Sequence, residues 1–406
     1  METAQQTPLW EAGVTRDKIV VISDIHLGID DRYTETLKNR PLLIGFLKRL
    51  AHTSDVRELV IGGDFLDAWF LPVFYPPYTD EDAFYRSAAA NNSEVFDALA
   101  GVMDAGIKLV YVPGNHDMTF GAHILDELLP GIVQARDAEG LGAYRTGDRN
   151  EIVIEHGHRY DVFSAPDTVT NAALCKKGCS ILPPGYFYAR YAATWVLEGR
   201  PSVKKDLPVV KDVPDSSDAD QYGAYIYYSL LKKISERMTP LEDLRDRIFN
   251  MHIAGFDGDY SYLDFFPAQQ ADGAISAPVL FRNVQRTWDE RQRENRIGVM
   301  NSFVEAVAGT LDWDYYVAQA KAQYIENGSA DIVVFGHTHV PVFAEIGDGK
   351  YYVNDGTWID DNTDFPEATR SFAVVTTGEK SNAALFSYCG DGSLRNIEAS
   401  SKGAGR

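Results

Sequence analysis

The chain has 406 residues, of which 45% are hydrophobic, enough to bury a large core in one domain with an insertion or in two domains. Its formal net charge of −21 argues against non-specific nucleic-acid binding, which depends on lysine and arginine neutralising phosphates. A phosphate substrate is not excluded, because bound divalent cations invert the local field.

The N-terminal segment and the cysteines bear on the cellular compartment. Residues 1–10 lack the basic and apolar regions of a signal peptide, and the chain has no run of about 20 apolar residues. We therefore expect a soluble, cytoplasmic protein without a transmembrane segment. Cys175, Cys179 and Cys389 are too few for a disulfide framework, so we expect free thiols, with a redox or metal pair at the first two as the alternative.

The first predicted strand, residues 18–22, is a continuous run of apolar and mostly β-branched side chains. Such a run is typical of a strand that is buried on both faces. Asp24 and His26 follow it, and both are ligands for a hard or borderline cation. Residues 41–50 then predict a helix, because their apolar side chains recur on one face.

A second strand, residues 59–61, ends at Gly62 and Gly63 and is followed by Asp64. Glycines at a strand end let the backbone turn sharply, and one carboxylate has enough oxygens to bridge two cations. A helical stretch is expected over residues 81–104. The third strand, residues 108–112, leads into Asn115, His116 and Asp117.

The same pattern of strand and ligand-type residues occurs twice more. Residues 152–154 precede His156 and His158, and residues 332–335 precede His337 and His339. Further strands are expected over residues 351–353 and 372–376. Strands separated by helices predict a largely parallel sheet, whose ligands bind outside the carboxyl ends of the strands. All five loops are therefore expected to converge on one site.

Residues 161–329 have a different character and are expected to form an inserted, mainly helical cap. Helices are predicted over residues 222–238 and 286–307. The aromatic run Tyr186, Phe187, Tyr188, Tyr191 and Trp195 is either the core of this cap or a wall over the metal site. A basic groove could be formed by Arg282, Arg286, Arg291 and Arg293, although a solvated helix is the preferred interpretation.

These motifs resemble those of the calcineurin-like metallophosphoesterases, whose pattern is Asp-x-His, Gly-Asp-x-x-Asp, Gly-Asn-His-Asp, His and Gly-His-x-His in this order. The residues that carry it are Asp24, His26, Gly63, Asp64, Asp67, Gly114, Asn115, His116, Asp117, His156, Gly336, His337 and His339. The sequence around His156, His339 and Asn354 is also similar to the UDP-2,3-diacylglucosamine pyrophosphatase-like branch. That branch often carries arginine where this chain has His116.

The resemblance implies an α/β fold, a four-layer αββα sandwich with a helical cap. The catalytic core would span residues 17–160 and 330–395, with the cap at 161–329. Two divalent metal ions are implied, one bound by Asp24, His26, Asp64 and His339 and the other by Asp64, Asn115, His156 and His337. Manganese is favoured over iron, zinc or nickel. Asp67 and His158 are expected outside the ligand set.

The implied function is hydrolysis of a small-molecule phosphate mono- or diester, with a metal-bridging hydroxide as the nucleophile. His116 would protonate the leaving oxygen or stabilise charge on the phosphoryl group, and Asp117 would hold its tautomer. A pyrophosphatase acting on a UDP-sugar lipid and a non-catalytic protein-binding scaffold are the alternatives. The physiological substrate and the oligomeric state do not follow from the sequence.

Overall fold

The computed structural model describes residues 16–138, 140–170, 172, 181–201, 206–238, 243–277, 279–280, 284–298, 302–310, 312–363, 365–366 and 368–403. The chain divides into two compact units. The first unit comprises Met1–Ala68, Asp82–His158 and Trp313–Arg406, and the second comprises Trp69–Glu81 and Arg159–Asp312. Cys175, Cys179 and Arg282 lie outside the described residues, whereas Cys389 is a half-buried free thiol.

The strands, in chain order, are β1 (Lys18–Ile22), β2 (Val56–Ile61), β3 (Lys108–Tyr111), β4 (Val133–Gln134), β5 (Ala143–Thr146), β6 (Ile152–Glu155), β7 (Phe249–Met251), β8 (Gly258–Tyr260), β9 (Ala268–Gln269), β10 (Ile275–Ser276), β11 (Ile332–Phe335), β12 (Val342–Gly347), β13 (Lys350–Asn354), β14 (Ser371–Thr376), β15 (Asn382–Tyr388) and β16 (Leu394–Asn396). The helices are α1 (Arg40–Leu50), α2 (Glu81–Asn91), α3 (Ser93–Asp104), α4 (Ala122–Leu128), α5 (Pro184–Leu197), α6 (Ala219–Met238), α7 (Tyr262–Phe265), α8 (Val284–Glu294), α9 (Phe303–Gly309) and α10 (Trp313–Ala320).

Two mixed sheets form the first unit. One sheet has the order β16-β15-β14-β1-β2-β3-β4, with β1 to β4 parallel and β14 to β16 antiparallel to their neighbours. The other has the order β12-β13-β11-β6-β5, with a parallel centre of β13, β11 and β6. The residue pattern alone predicts one sheet, and that prediction is wrong. The chain enters the second sheet at β5, leaves it after β6 and returns at β11.

The core of the first unit lies between these sheets. Alternate residues of each strand meet there, such as Ile19 and Val21 of β1 and Ile332 and Val334 of β11, all of them buried. Because side chains alternate along a strand, the residues between them face the outer layers. This alternation explains why the strands read as continuously apolar: each is covered on both faces.

Helices cover the outer faces. On the first sheet, α1 packs beside α3, and the ring of Phe46 lies 4.8 Å from that of Phe372 in β14 and 5.2 Å from that of Trp358. On the second sheet, α10 continues into a π-helical turn, Lys321–Ile325, where Tyr324 donates a hydrogen bond to Glu155 of β6. The αββα sandwich with a mainly helical insert is thereby confirmed as the fold class.

The predicted helix over residues 81–104 is two helices, divided at Asn92. The buried Asn92 side chain donates to the carbonyls of Gly28 and Ala88, at 2.9 and 2.8 Å, and accepts from Arg40. The side chain thus occupies the Ala88 carbonyl that the Asn92 amide would use in a continuous helix, and that amide donates to Ala89 instead, at 3.1 Å. The break fastens the helical layer to the loop that follows β1.

The second unit is mainly helical, with the short antiparallel pairs β7-β8 and β9-β10. Part of the aromatic run of α5 lies in its core, where Phe187 is fully buried and its ring is 4.6 Å from that of Phe265 and 5.0 Å from that of Phe256. Tyr191 packs in the same way, 4.8 Å from the ring of Tyr262. The interpretation as the core of the inserted unit therefore holds for Tyr186, Phe187 and Tyr191, whereas Tyr188 and Trp195 are only half-buried.

The segment Trp69–Glu81 groups with the second unit because α5 binds its backbone. Arg190 donates to the carbonyls of Leu71 and Pro72 at 2.8 and 3.0 Å, and the amide of Val73 donates to Thr194 at 2.9 Å. At the other boundary, α10 groups with the first unit. Both segments lie on the other side of the predicted boundaries, which placed residues 17–160 in the core and 161–329 in the cap.

Arg291 has neither of the roles considered from the sequence. It is buried in the second unit, and its guanidinium donates to the carbonyls of Val162, Ala165 and Pro166 at 3.0, 2.5 and 3.3 Å. A buried guanidinium of this kind fastens the chain after β6 to α8. Among the described residues, no helix has both the length and the apolar character needed to cross a membrane.

Phe187→Ala tests the aromatic core of the second unit. Removing a fully buried ring leaves a cavity, and we expect the free energy of unfolding to fall by about 3–5 kcal/mol. Phe74→Ala is the matched control, because Phe74 lies in the same unit and is 55% exposed. Its effect should stay within about 0.5 kcal/mol. Urea unfolding followed by fluorescence measures both, and equal losses would contradict the packing described here.

Candidate metal centre

The predicted ligands follow the carboxyl ends of strands in both sheets of the first unit. The residues concerned are Asp24 and His26 after β1, Asp64 after β2, Asn115 after β3, His156 after β6, and His337 and His339 after β11. Since parallel strands bring their carboxyl ends to one edge, the loops of each sheet meet there. Side-chain contacts across the two sheets bring the loops together into two groups.

The first group joins the loops after β1 and β11. Nε2 of His339 lies 3.2 Å from Oδ1 of Asp24 and 3.1 Å from Nε2 of His26. Nε2 of His26 lies 3.9 Å from the same carboxylate oxygen. Two imidazole nitrogens and one carboxylate oxygen therefore converge within the span of a single divalent cation.

The second group joins the loops after β2, β3 and β6. Nε2 of His156 lies 3.2 Å from Oδ2 of Asp64 and 3.1 Å from Oδ1 of Asn115. The same Asp64 oxygen is 3.7 Å from Nε2 of His26. Asp64 therefore contacts both groups, which is the position expected of a carboxylate that bridges two cations.

His337 is less closely engaged than the other predicted ligands. Its ring centroid is 5.3 Å from that of His156, and its backbone amide donates to both oxygens of Asp24 at 3.1 and 2.9 Å. Within the described residues, the tightest groups of candidate donor atoms do not include a nitrogen of His337. His158 lies nearby, with its ring 5.3 Å from that of His156, and is likewise absent from these groups.

Burial differs across the site. Asp24, His26, Asp64, Asn115 and His156 are all buried. In contrast, the side chains of His339 and His116 keep 21% and 17% of their surface exposed. The accessible side of the site is therefore formed by imidazoles, and its floor by the carboxylates.

The backbone supplies an independent indication of function. Asp24, His26, Asp64, His337 and His339 have φ angles of 50°, 51°, 52°, 73° and 57°, the left-handed region that residues with a Cβ avoid. Five of the eleven described non-glycine residues with positive φ are thus predicted ligands. Each such residue costs on the order of 1–3 kcal/mol, and this strain concentrates at functional sites.

The strained loops have defined supports. The carbonyl of Asp24 accepts hydrogen bonds from the amide of Trp358 at 3.1 Å and from the hydroxyl of Thr357 at 2.9 Å. Its amide donates to Gly63 at 3.1 Å, and the amide of His26 donates to Asp64 at 2.9 Å. Backbone pairing therefore continues beyond the ends of β1 and β2 and fixes both loops together.

The carboxylates and imidazoles shift one another's pKa. Burial would lower the pKa of His156, but the charges of Asp64 and Asp24 outweigh it and raise that pKa to about 9. Burial would raise the pKa of Asp64, but the positive charges of His156 and His116 hold that pKa below its usual range. The carboxylates and the imidazoles of the site therefore stabilise one another's charged forms.

This donor set fits divalent cations. Carboxylate, imidazole and amide oxygen are the ligand types that first-row transition metals bind in mixed sites. A histidine that binds a cation must be neutral, so cation binding by these imidazoles would depend on pH.

Asp67 connects the predicted ligand His26 to His116. Its Oδ2 is 2.8 Å from Nδ1 of His26, and its Oδ1 is 2.9 Å from Nδ1 of His116. The two imidazole rings are perpendicular, with centroids 4.6 Å apart. One buried carboxylate therefore orients both rings through Nδ1 and directs both Nε2 atoms towards the site.

Asp117 does not have the role predicted for it. Its Oδ1 accepts from the amide of Gly114 at 2.7 Å and its Oδ2 from the amide of Phe65 at 2.8 Å. It therefore holds the loops after β2 and β3 together, and Asp67 orients His116 instead.

Tyr316 is a residue near the site that the sequence analysis missed. It is buried in α10, and its ring lies 6.0 Å from that of His337. The π-helical turn Lys321–Ile325 follows α10. Such turns are rare overall, but those that occur often lie near functional sites, so this one marks the region in the structure. In the sequence, the only sign of Tyr316 is the aromatic pair Tyr315 and Tyr316, which falls within residues 161–329, the predicted cap.

Part of the chain matches a known protein family. Residues 17–179 match the family model described as calcineurin-like phosphoesterase, which confirms the resemblance seen in the motifs. The matched segment includes the loops after β1, β2, β3 and β6, and the loop after β11 lies beyond it. The finer similarity to the UDP-2,3-diacylglucosamine pyrophosphatase-like branch stays a prediction.

Among solved structures, the chain is similar to a dimetal phosphatase from Danio rerio, with 11% identity and a TM-score of 0.37, over 93% of this chain and 100% of that one. It is also similar to the phosphopantetheinyl hydrolase of Mycobacterium tuberculosis, with 14% identity and a TM-score of 0.25, over 85% of this chain and 91% of that one. A search of curated proteins finds no significant match.

Gly114→Ala tests the geometry without removing any donor atom. A Cβ at this position would overlap the carboxylate and the backbone nitrogen of Asp64, so we expect divalent metal affinity to fall by at least about tenfold. Gly101→Ala in α3 is the control, because a Cβ there meets no atom of the described residues within 4 Å. Calorimetric titration measures both, and unchanged affinity in Gly114→Ala would contradict the described contact.

Proposed function

We propose that this chain, whose residues 17–179 match the calcineurin-like phosphoesterases, is a hydrolase of phosphate esters that binds two divalent metal ions. The observation that carries the proposal is the set of strained loops. Side chains from two sheets converge within ligand distance, and five of the predicted ligands have left-handed backbone. Such strain at buried charged residues indicates a site that is built for binding rather than for stability.

We assign Asp24, His26, Asp64 and His339 to one ion, and Asp64, Asn115, His156 and His337 to the other. The contacts of Asp64 with both groups support its role as the shared ligand. When bound, the ions would supply Lewis-acid polarisation of the phosphoryl group and lower the pKa of a water molecule. Manganese is the favoured ion, and iron, zinc and nickel suit the same donors.

His116 is the proposed acid. Burial would lower its pKa, but Asp67 and Asp64 outweigh this and raise that pKa above its ordinary value. A protonated ring held through Nδ1 by Asp67 presents Nε2 to a substrate on the accessible side of the site. From there it would donate a proton to the leaving oxygen or stabilise negative charge on the phosphoryl group.

The substrate class that the charges favour is a small phosphate ester. The chain carries a net charge of −21, which opposes non-specific binding of a nucleic acid. Of the arginines considered for a basic groove, Arg291 is buried against backbone carbonyls. A small ester needs no such groove, because the bound cations would attract its phosphate.

Asp64→Ala tests the shared ligand. Loss of a carboxylate that contacts both groups should reduce the bound metal from two equivalents to fewer than one and abolish hydrolysis of nitrophenyl phosphate mono- and diesters with manganese. Asp55→Ala is the matched control, because Asp55 is also buried but precedes β2, whereas Asp64 follows it. Elemental analysis that finds two equivalents in Asp64→Ala would refute the assignment.

His116→Gln should retain the metal ions and lose roughly 10²–10⁴-fold in turnover, the usual contribution of a positioned acid. The loss should be smaller for esters with good leaving groups, which need little protonation. His123→Gln is the control, because His123 also contacts a carboxylate, Asp82, at 2.7 Å but is exposed. An equal loss for all leaving groups would assign His116 to the phosphoryl oxygens instead.

A further inference from the structure

The sequence motif at Asn354, Asp355 and Gly356 has no role in the proposed reaction, yet Asp355 lies close to the site. It is buried, follows β13 of the second sheet, and its amide donates to Phe335 at 3.0 Å. Ser23, which is also buried, follows β1 of the first sheet. Oγ of Ser23 lies 2.6 Å from Oδ1 of Asp355.

The same Ser23 hydroxyl contacts Oδ2 of Asp24. The amide of His337 donates to both oxygens of Asp24, at 2.9 Å to Oδ2 and 3.1 Å to Oδ1, so only Ser23 distinguishes them. The other oxygen, Oδ1, faces the imidazoles of His339 and His26. Ser23 therefore determines which oxygen of Asp24 faces the group of candidate ligands.

The two contacts of the Ser23 hydroxyl require a hydrogen on one of the two carboxyl groups. A serine hydroxyl has one hydrogen, but Oγ of Ser23 lies within hydrogen-bond distance of oxygens from two carboxyl groups. Both contacts are hydrogen bonds only when one carboxyl group also carries a hydrogen. If Asp24 is an anion, Ser23 donates to Asp24 and Asp355 donates to Ser23.

The surroundings favour Asp355 as the protonated group. Asp24 is surrounded by imidazoles and accepts from a backbone amide, which stabilises its anion. Asp355 has no salt-bridge partner among the described residues, and its Oδ2 is buried there without a hydrogen-bond partner. An uncompensated buried anion would be costly, whereas a neutral carboxylic acid is not. Burial, and next the charge of Asp24, raise the pKa of Asp355 well above its usual range.

We propose that Ser23 and Asp355 are positioning residues that form a hydrogen-bond relay, with Asp355 donating to Ser23 and Ser23 donating to Asp24. The relay fixes Oδ1 of Asp24 towards the cation and reaches it from the second sheet. This role rests on the proposed function, in which Asp24 is a metal ligand. Residues that orient a ligand in this way commonly contribute about 10–100-fold to metal affinity.

Three substitutions separate the relay from simple packing. Ser23→Ala removes the hydroxyl, Asp355→Leu removes the donor at similar size, and Asp355→Asn replaces the acid by an amide that still donates. Ser381→Ala is the matched control, because Ser381 donates to the buried Glu151 at 2.5 Å, at the amino end of β6, opposite the end that His156 follows. It removes the same kind of hydrogen bond from the same unit.

Calorimetric titration of the metal-free variants with manganese gives the first readout. In Ser23→Ala and Asp355→Leu, we expect one equivalent to bind about 10–100-fold more weakly, while the second is unchanged. Asp355→Asn and Ser381→Ala should bind within about threefold of the unsubstituted protein. Wild-type affinity in Ser23→Ala, or equal losses in Asp355→Asn and Asp355→Leu, would overturn the relay.

Infrared spectroscopy of the metal-free protein gives a readout that does not depend on the proposed function. The carbonyl stretch of a protonated carboxylic acid should be present in the unsubstituted protein and in Ser381→Ala, and absent from Asp355→Asn. Absence of this band from the unsubstituted protein would overturn the donor role of Asp355. Failure of the unsubstituted protein to bind manganese, iron, zinc or nickel would instead refute the proposed function, and the infrared band would still decide the relay.

Discussion

The left-handed backbone that follows β1 and β2 is the constraint on which the site depends. Asp24, His26 and Asp64 each adopt it, and each is held by backbone hydrogen bonds from the neighbouring loop. Strain of this size persists only where the surroundings over-determine the conformation. The sandwich supplies those surroundings, because the strands before each loop are buried on both faces and do not shift to relieve it.

The support extends outward through a polar layer beside α1. Asp360 accepts hydrogen bonds from the amides of Leu37, Lys38 and Asn39, at 3.0, 2.8 and 2.8 Å. Asn39 in turn donates to the carbonyls of Trp358 and Ile359 at 3.1 and 2.9 Å. The loop after β13 is therefore attached to the segment before α1. Because Thr357 and Trp358 of this loop also donate to the carbonyl of Asp24, one network connects Asp24 to α1.

Much of the site could be predicted from the sequence because its signals are local. A buried strand, a small residue and a ligand-type side chain follow one another along the chain, as at Asp64 and at His337. The distribution of strands between two sheets could not be predicted, since a strand buried on both faces has no alternation that assigns it to a sheet. The sequence also could not predict the partner of His116, because Asp67 lies on another loop and only folding brings the two residues together.

The composition of the second unit also depends on contacts between residues that are far apart in the sequence, which the sequence alone does not predict. Trp69–Glu81 reads as a proline-rich loop, and its place in the second unit depends on Arg190 and Thr194, more than a hundred residues later. The aromatic residues of α5 were recognised, but their number is compatible with either a core or a binding wall. Only the contacts of Phe187 and Tyr191 with other rings of the same unit decide between these.

The antiparallel pairing of β1 with β14 has a consequence for biosynthesis. Lys18 pairs with Thr376, so β1 receives one of its two neighbours only after residues 371–376 have left the ribosome. Until then, one side of β1 presents unpaired amides and carbonyls, which invite pairing with other chains. Domains with such long-range contacts fold slowly and pass through aggregation-prone states.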